Sequence, residues 1–340
     1  MRMIKIRTRS DVFVRPYPQG YIYCFLLALL NRILYNEAYV EENNHKEEPR
    51  MNYVLVTDSG ADMPYTYYEE HELGFLSIQV TIGDQTQDDD GGKTLKYADF
   101  YRQMREGAMP TTSMINPEDY IHFFEPLLAE GKDILYIAFS SGLSGSCAAA
   151  RMAVQELAAR WPGRRVEVFD SLCASLGQGL LVDGARRRRD AGASMDELLA
   201  WLRENVMNHN HFVTVQDLMH LHRGGRLSRT SAIVGTLIGI KPMIYVNPEG
   251  KLVVCGRKRG RAAALEELLN YMDQYTESRT LETIAVSHSD CEEDARLVSD
   301  KVCQHYHVHN VILNYIGPVI GAHTGPGTVA LFFRGKKRKE

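Results

Sequence analysis

The clearest chemical signal in the chain is the turn at residues 140–145, which reads Ser-Ser-Gly-Leu-Ser-Gly. It follows an apolar run, Ile134 to Phe139, typical of a buried strand, and precedes a helix-like stretch, Ala148 to Arg160. A strand, a glycine- and hydroxyl-rich turn and a helix together direct backbone N–H groups and hydroxyls at an anion. Because the turn contains no lysine, arginine or carboxylate, we expect a ligand with one modest negative charge, such as a carboxylate.

Two further polar clusters lie at the ends of predicted elements. The first is Thr111-Thr112-Ser113, just before a helix that Asn116 caps. The second is a glycine-dense loop at 316–327 that contains His323. Hydrogen bonds to a charged acceptor contribute about 1.5–3 kcal/mol each. Hydroxyls from two clusters and an imidazole from the third would therefore suffice to bind one carboxylate.

Two other functions are compatible with these residues. One is a serine hydrolase or acyltransferase that uses Ser141 or Ser144 as nucleophile with His323 as base. The motif of a nucleophile elbow requires glycine at position 146, however, where this chain has serine. The other is a regulatory module that binds a sugar or phosphate at the loop 223–226, which has an arginine at each end. The sequence has no P-loop and no dinucleotide-binding glycine motif after a strand.

The composition is that of an ordinary soluble globular protein. The 340 residues are 44% apolar and 24% charged, and the net charge of −4 argues against a nucleic-acid partner. The six cysteines are scattered without zinc-ligand spacing, which is typical of reduced thiols in a cytoplasmic protein. We therefore predict a cytoplasmic location, no metal and no cofactor.

Apolar runs alternate with helical patterns from Tyr53 onward, which predicts an α/β fold with a mostly parallel sheet. We predict two α/β domains. The first, 51–208, has a mostly parallel sheet flanked by helices, and the second, 209–335, has a mixed sheet with helices. The predicted strands include 54–56, 75–82, 134–139, 166–170, 212–215, 243–246, 252–255, 283–287, 310–315 and 328–333. The predicted helices include 97–106, 148–160, 176–189, 194–205, 217–222, 261–275 and 291–304, with another beginning at Ser228.

The first fifty residues differ from the rest. Basic residues precede an apolar run, Tyr21 to Leu30, but no signal-peptidase site follows, and the run is too short to span a bilayer. A polar, linker-like stretch comes next. We predict that residues 1–50 are a poorly ordered N-terminal extension and that the native protein begins at Met51. The alternative is a peripheral membrane anchor that makes at most transient contact with a membrane surface.

Taken together, the motifs resemble those of the DegV family. The matching segments keep their order and spacing from Asn52 to Arg334, and residues 1–50 have no place in the resemblance. These segments are Val-Thr-Asp-Ser-Gly-Ala-Asp-Met-Pro at 56–64, Pro-Thr-Thr-Ser at 110–113, Ser-Ser-Gly-Leu-Ser-Gly-Ser at 140–146, Phe-Asp-Ser at 169–171, the Arg-Gly-Gly-Arg loop at 223–226, Lys241-Pro242, and the glycine-dense loop from Gly317.

The resemblance implies a DegV-like two-domain α/β fold that binds one long-chain fatty acid, such as palmitate, with its acyl chain in an apolar tunnel. It also implies a lipid-binding protein rather than an enzyme. In some members of the family the protein is the acyl-carrying subunit of a bacterial fatty acid kinase and presents the carboxylate to a separate ATP-binding subunit. Arg226 matches a position implicated in working with that partner.

The resemblance also implies which residues bind the carboxylate. Thr112 and Ser141 would hydrogen-bond it, Ser113 and Ser140 would lie beside them, and His323 would complete the site at the domain junction. The chain departs from the family pattern directly after Thr-Ser, where glutamine is usual and Met114 stands here. Any polar contact made from that position is therefore absent in this protein.

Overall fold

A computed structural model describes residues 52–216, 218–227 and 239–339. The predicted N-terminal extension, Met51, the first residue of the predicted helix 217–222 and the helix predicted to begin at Ser228 lie outside the described residues. Within the described ranges the chain forms thirteen strands and ten α-helices.

The strands are β1 (Tyr53–Asp58), β2 (Gly74–Leu76), β3 (Gln79–Ile82), β4 (Gln85–Asp88), β5 (Thr111–Ser113), β6 (Asp133–Ala138), β7 (Val166–Asp170), β8 (His209–Thr214), β9 (Ile240–Val246), β10 (Leu252–Arg259), β11 (Thr280–His288), β12 (His307–Tyr315) and β13 (Val329–Arg334). The helices are α1 (Tyr65–Glu70), α2 (Tyr97–Arg105), α3 (Pro117–Ala129), α4 (Ser146–Arg160), α5 (Leu176–Asp190), α6 (Met195–Asn205), α7 (Met219–Arg223), α8 (Arg261–Tyr275), α9 (Glu292–His305) and α10 (Pro318–Thr324). No helix in these described ranges is long and apolar enough to cross a membrane.

The first sheet has the strand order β2-β1-β6-β7, and all its neighbouring strands are parallel. Successive residues of a strand point to opposite faces, so the two faces build separate cores. Leu55, Leu135 and Ile137 pack with residues of α5 and α6. Val56 and Ile134 pack with residues of α3 and α4. The α/β fold with a mostly parallel first sheet, predicted from the sequence, is confirmed.

A second, small sheet has the order β4-β3-β5 and is antiparallel. The single strand predicted at 75–82 is wrong, because β2 joins the first sheet and β3 joins this one. Ser59 stabilises the interruption between β2 and β3, because its Oγ accepts a hydrogen bond of 3.0 Å from the Ile78 N–H. Pairing of β3 with β5 sets Thr112 opposite Val80, and so fixes where the Thr112 side chain lies.

The third sheet has the order β10-β9-β8-β13-β11-β12, in which only β11 and β12 are parallel neighbours. This mixed sheet, packed with α8 and α9, matches the expectation for the second half of the chain. Whether 51–208 and 209–335 are separate domains stays a prediction. The predicted second domain ends at residue 335. Arg338 lies after this end, yet it is buried and donates hydrogen bonds to the carbonyl oxygens of Leu172 and Asn247.

The glycine-dense segment at 316–327 is not wholly a loop as predicted, because it contains the short helix α10. Pro318 occupies the first position of this helix, where its missing N–H costs nothing. Val319 and Ala322 are buried and give the segment an apolar face. His323 therefore projects from a helix that is packed in place.

Three buried aspartates accept hydrogen bonds from neighbouring segments of the chain. Asp58, Asp62 and Asp89 are at most 5% exposed. Asp62 accepts hydrogen bonds from the Gly317 N–H at 2.9 Å and from the Ser175 hydroxyl at 2.5 Å. Asp89 accepts one from the Tyr97 hydroxyl at 2.9 Å. Burial raises the pKa of Asp62 well above its usual range, and it raises the pKa of Asp89 to about 7.

The raised pKa of Asp89 makes folding stability depend on pH. The unfolded chain releases this proton near the ordinary pKa of 3.8, whereas the folded chain keeps it up to about pH 7. Stability should therefore fall as the pH rises through this window. Asp89→Asn cannot ionise, so urea unfolding between pH 4 and pH 8 should show a stability advantage of the variant over wild type that grows with pH, approaching about 4 kcal/mol. Asp84→Asn, in an exposed turn, controls for loss of a negative charge as such. An advantage independent of pH would contradict the assignment.

Candidate functional site

A pocket opens where the turn after β6, strand β5, helix α10 and the third sheet meet. It encloses about 850 Å³ of space, its open mouth included. Residues from both halves of the chain line it. The polar side chains in the lining are Thr112, Ser113, Ser144, Ser175, His211, Arg226, His323, Thr324 and Thr328. The pocket is therefore the place where the sequence motifs of the two halves come together.

Thr112 and His323, predicted from the sequence to act together, are in contact. The Thr112 Oγ1 lies 2.8 Å from the His323 Nε2. Among the described residues, the buried Nδ1 of His323 has no hydrogen-bond partner. Burial, with the nearby charge of Arg226, lowers the pKa of His323 to about 4. The imidazole is therefore neutral at neutral pH, and one of its two nitrogens is an acceptor.

The loop 223–226 packs closely against the His323 side chain. Gly224 is so close that a Cβ on it would collide with the His323 Nδ1. Any side chain at this position would push the imidazole away from Thr112. The steric need for glycine at 224 explains one residue of the Gly-Gly-Arg motif in physical terms.

The turn at 140–145 contributes one hydroxyl to the pocket, and it is that of Ser144. The buried Ser140 hydroxyl donates to the Gly250 carbonyl oxygen at 2.8 Å and accepts from the Gly142 N–H at 3.1 Å. Ser141 is exposed, and its N–H donates to Asp170. Neither Ser140 nor Ser141 is among the residues that line the pocket, and their place beside a bound carboxylate stays a prediction.

Arg226 brings a positive charge to this turn. Its Nε donates to the Leu143 carbonyl oxygen at 3.0 Å and its Nη1 to the Gly224 carbonyl oxygen at 2.6 Å. Burial lowers the pKa of the guanidinium, which nevertheless stays charged at neutral pH. Arg223, the other arginine of the loop, contacts Met109 and His220 instead and does not line the pocket. We refer to Thr112, Ser144, Arg226 and His323 as the polar cluster.

The rest of the lining is apolar. Ile78 and Ile320 both line the pocket, and Ile78 is also part of a buried core cluster that includes Ile115. Met114 also lines it, although its side chain is 54% exposed, so a thioether stands at the position where the resemblance has glutamine. The remaining apolar residues of the lining are Phe139, Leu143, Ala174, Val213, Val215, Leu221, Ile244, Val246, Leu252, Ile316, Val319, Ala330 and Phe332.

The hydrolase constellation is not formed by these residues. The His323 Nε2 contacts Thr112, and no hydrogen bond joins His323 to Ser141 or Ser144 among the described residues. A catalytic histidine also needs a group that orients its second nitrogen. No such partner exists for Nδ1 within 52–216, 218–227 and 239–339.

Comparison with known proteins agrees with this architecture. A family model described as "Uncharacterised protein, DegV family" matches residues 52–336. The chain belongs to the DegV family. A DegV domain-containing protein of Clostridium perfringens is 38% identical over 287 residues, which is 84% of this chain and 99% of that protein.

Solved DegV structures share the fold. A DegV lipid binding protein from Thermotoga maritima has a TM-score of 0.76 at 27% identity, over 85% of this chain and all of that chain. A DegV family protein from Thermus thermophilus, described as binding fatty acid, has a TM-score of 0.76 at 30% identity, over 84% of this chain and all of that chain. A Bacillus subtilis DegV protein, described as a fatty acid binding protein, has a TM-score of 0.72 at 27% identity with the same coverage.

The contact between Gly250 and Ser140 positions the turn at 140–145, and substitutions at Gly250 can test it. Gly250 has a φ of +72°, and a Cβ on it would collide with the Ser140 Oγ. Gly83 has a φ of +58° with nothing within 4 Å of a Cβ. Gly83→Ala should cost about 1–2 kcal/mol of unfolding free energy, from backbone strain alone. Gly250→Ala should cost about 1–3 kcal/mol more, because it also breaks the clamp on the turn. Equal losses in denaturant unfolding would contradict this role for Gly250.

Proposed function

We propose that this protein binds a long-chain fatty acid, with the carboxylate at the polar cluster and the acyl chain among the apolar residues of the pocket. The observation that carries the proposal is one pocket in which four polar side chains from distant parts of the sequence adjoin an otherwise mostly apolar lining. Thr112 contacts His323, Arg226 lies near His323, and Arg226 binds the carbonyl group that precedes Ser144.

The acyl chain supplies most of the binding energy in this proposal. Burial of a sixteen-carbon chain contributes roughly 0.8 kcal/mol per methylene, or about 12 kcal/mol before the costs of association. The polar cluster then needs only to fix the charged end. A pocket of this kind selects its ligand by length and shape.

The polar cluster suits one carboxylate. Arg226 provides the compensating charge, with its Nε and Nη1 held by backbone carbonyl groups and other N–H groups left to donate. If the neutral His323 donates from Nε2, the Thr112 hydroxyl accepts from it and keeps its own proton for the ligand. That tautomer leaves Nδ1 as an unpaired acceptor beside Gly224, which is less costly than an unpaired N–H donor.

The solved relatives support the same ligand class. Proteins from Thermus thermophilus and Bacillus subtilis that share 30% and 27% identity with this chain are described as binding fatty acid. Ser113 lies in the lining beside Thr112 and is part of the proposed carboxylate end. Ser140 and Ser141 are left out because their side chains lie outside the pocket.

The proposal predicts which serine of the turn matters. Thr112→Val and Ser144→Ala should each weaken palmitate binding by about 10- to 100-fold, the value of one hydrogen bond to a charged group. Ser141→Ala, which removes an exposed hydroxyl from the same turn, should change the Kd less than twofold. Calorimetric titration of delipidated protein measures all three. A loss for Ser141→Ala that equals the loss for Ser144→Ala would restore the assignment made from sequence. No binding of palmitate or oleate to wild type would contradict the proposal.

In this proposal the protein binds its ligand and does not catalyse a reaction on it. Because His323 is bonded to Thr112 and not to a serine, we expect no labelling of Ser141 or Ser144 by a fluorophosphonate probe. A known serine hydrolase run in parallel is the positive control. Labelling of either serine that disappears in His323→Ala would favour the hydrolase or acyltransferase alternative.

Presentation of the bound acid to a separate ATP-binding kinase subunit is the finer part of the proposal. It follows from the resemblance, in which a separate ATP-binding subunit phosphorylates the bound acid. Arg226 is the residue that the resemblance assigns to this step, and it lies at the pocket. The cytoplasmic location and transient contact with a membrane surface stay predictions.

A further inference from the structure

A second crevice lies between helices α5 and α6, the start of strand β11 and the end of strand β13. It encloses about 850 Å³, its open mouth included, and its lining contains Arg187, Arg188 and Arg334. Among the described residues, none that lines this crevice also lines the pocket proposed to bind fatty acid. We call this space the arginine crevice, and the proposed function does not account for its three arginines.

Two guanidinium groups in the arginine crevice are held one helical turn apart. The Arg188 Cζ lies 3.9 Å from the centre of the Trp201 ring. The Arg334 Nη2 donates to the Asn205 Oδ1 at 2.7 Å. Trp201 and Asn205 are four residues apart in α6, so they lie on the same face of that helix. Positive charges from α5 and from the end of β13 therefore come together against one face of α6.

Contacts within the protein fix both guanidinium groups before any ligand binds. A Cβ on Gly184 would lie 2.5 Å from the Trp201 ring, so the indole packs directly on α5. The Arg188 Nη1 donates to the Gly184 carbonyl oxygen at 2.9 Å, and the same guanidinium makes a cation–π contact with the indole. The buried Asn205 side chain is itself held, because its Nδ2 donates to the Trp201 carbonyl oxygen at 2.9 Å. Groups that are positioned in advance lose less conformational entropy when a ligand binds.

The charges of the arginine crevice do not balance. Three arginines and two carboxylates line it, which leaves the lining with a net positive charge. The two carboxylates, those of Asp183 and Glu282, both pair with Arg187. Arg188 and Arg334 make no ion pair in the part of the chain that the structure describes. Two positive charges in the crevice are therefore without a carboxylate partner in these ranges.

Arg188 and Arg334 are close enough to repel each other. Partial burial lowers the pKa of Arg188, and the charge of Arg334 lowers it further, whereas the charge of Glu282 acts in the opposite direction and is the smaller effect. An anion placed between the two guanidinium groups would relieve this repulsion. A dianion suits the position better than a single carboxylate, because it matches two positive charges.

We propose that the arginine crevice binds a phosphate group between the guanidinium groups of Arg188 and Arg334. A phosphate monoester carries a charge of about −1.5 to −2 at neutral pH and has three acceptor oxygens. A guanidinium has several N–H donors in one plane, and the hydrogen bonds to Gly184 and Asn205 use one donor from each arginine. The other N–H groups can donate to phosphate oxygens. This site does not depend on the proposed function of the fatty acid pocket.

The test uses Trp201 as a reporter. The chain has two tryptophans, Trp161 and Trp201, so Trp201 is the only one in full-length Trp161→Phe protein. Inorganic phosphate is titrated at pH 7.5 and constant ionic strength while the fluorescence is recorded. The signal should saturate with a Kd of about 1 mM or tighter. Tighter binding of ribose 5-phosphate than of inorganic phosphate would identify a phosphorylated small molecule as the ligand, and the reverse order would identify free phosphate.

Arg188→Gln and Arg334→Gln should each weaken phosphate binding by about 10- to 100-fold, the value of one hydrogen bond to a charged group. Calorimetric titration measures these variants, because Arg188→Gln itself alters the surroundings of Trp201. Arg203→Gln is the matched control, since it removes an exposed arginine of α6 that does not line the crevice. It should change the Kd less than twofold. Arg334→Lys keeps the positive charge and should retain more of the affinity than Arg334→Gln.

Palmitate binding checks that the variants are folded. Arg188→Gln and Arg334→Gln should bind palmitate with the wild-type Kd, because the two sites share no lining residue. Wild type that shows neither a saturable fluorescence change nor a heat of binding with phosphate would overturn the proposal. A response that sodium chloride reproduces would indicate an adventitious ion only and would overturn it too. Equal losses of phosphate affinity in Arg203→Gln and Arg334→Gln would contradict the assignment to this crevice.

Discussion

The structure around the pocket depends on one buried carboxylate, that of Asp58. It accepts hydrogen bonds from the N–H groups of Gly60 and Phe139, from the Tyr136 hydroxyl and from the Gln178 amide. These donors belong to the short turn after β1, to strand β6 and the residue after it, and to helix α5. Since a buried polar group left without a hydrogen bond destabilises the fold, loss of any of the four contacts should be costly. They fix the point at which β6 ends, and thereby the point at which the turn at 140–145 begins.

Most of the fold could be predicted from local patterns. The strand at 166–170 and the helix at 261–275 have the predicted bounds, and Asn116 caps α3 through a capping box. The errors occur where tertiary contacts override the local pattern. The apolar run at 75–82 reads as one strand but is divided between two sheets, and the bond from Ile78 to Ser59 spans 19 residues. Helix α10 was not predicted, because the glycines of this segment disfavour a helix. Its stability comes from the burial of Val319 and Ala322.

The contacts among the candidate site residues were predictable only in part. Residue types placed Thr112 and His323 together, and the structure brings them into contact. The hydrogen bond from the Ser140 hydroxyl to Gly250, which lies 110 residues further on, could not be predicted from the sequence. The contact of Arg226 with this turn could not be predicted either, since Arg226 and Leu143 are 83 residues apart in the sequence. The turn contains no cation of its own, and the structure places Arg226, from the other half of the chain, beside it.

The contacts that hold Arg226 and Ser140 end on main-chain oxygens, those of Leu143, Gly224 and Gly250. A carbonyl group is present whatever side chain its residue carries. Evolutionary drift can therefore replace neighbouring side chains without moving the guanidinium or the turn, provided that the backbone keeps its path. Glycines are the exception, because their lack of a side chain is itself the structural requirement. Such a framework tolerates extensive change in sequence, and it explains in physical terms how chains only 27% identical to this one can keep the same fold.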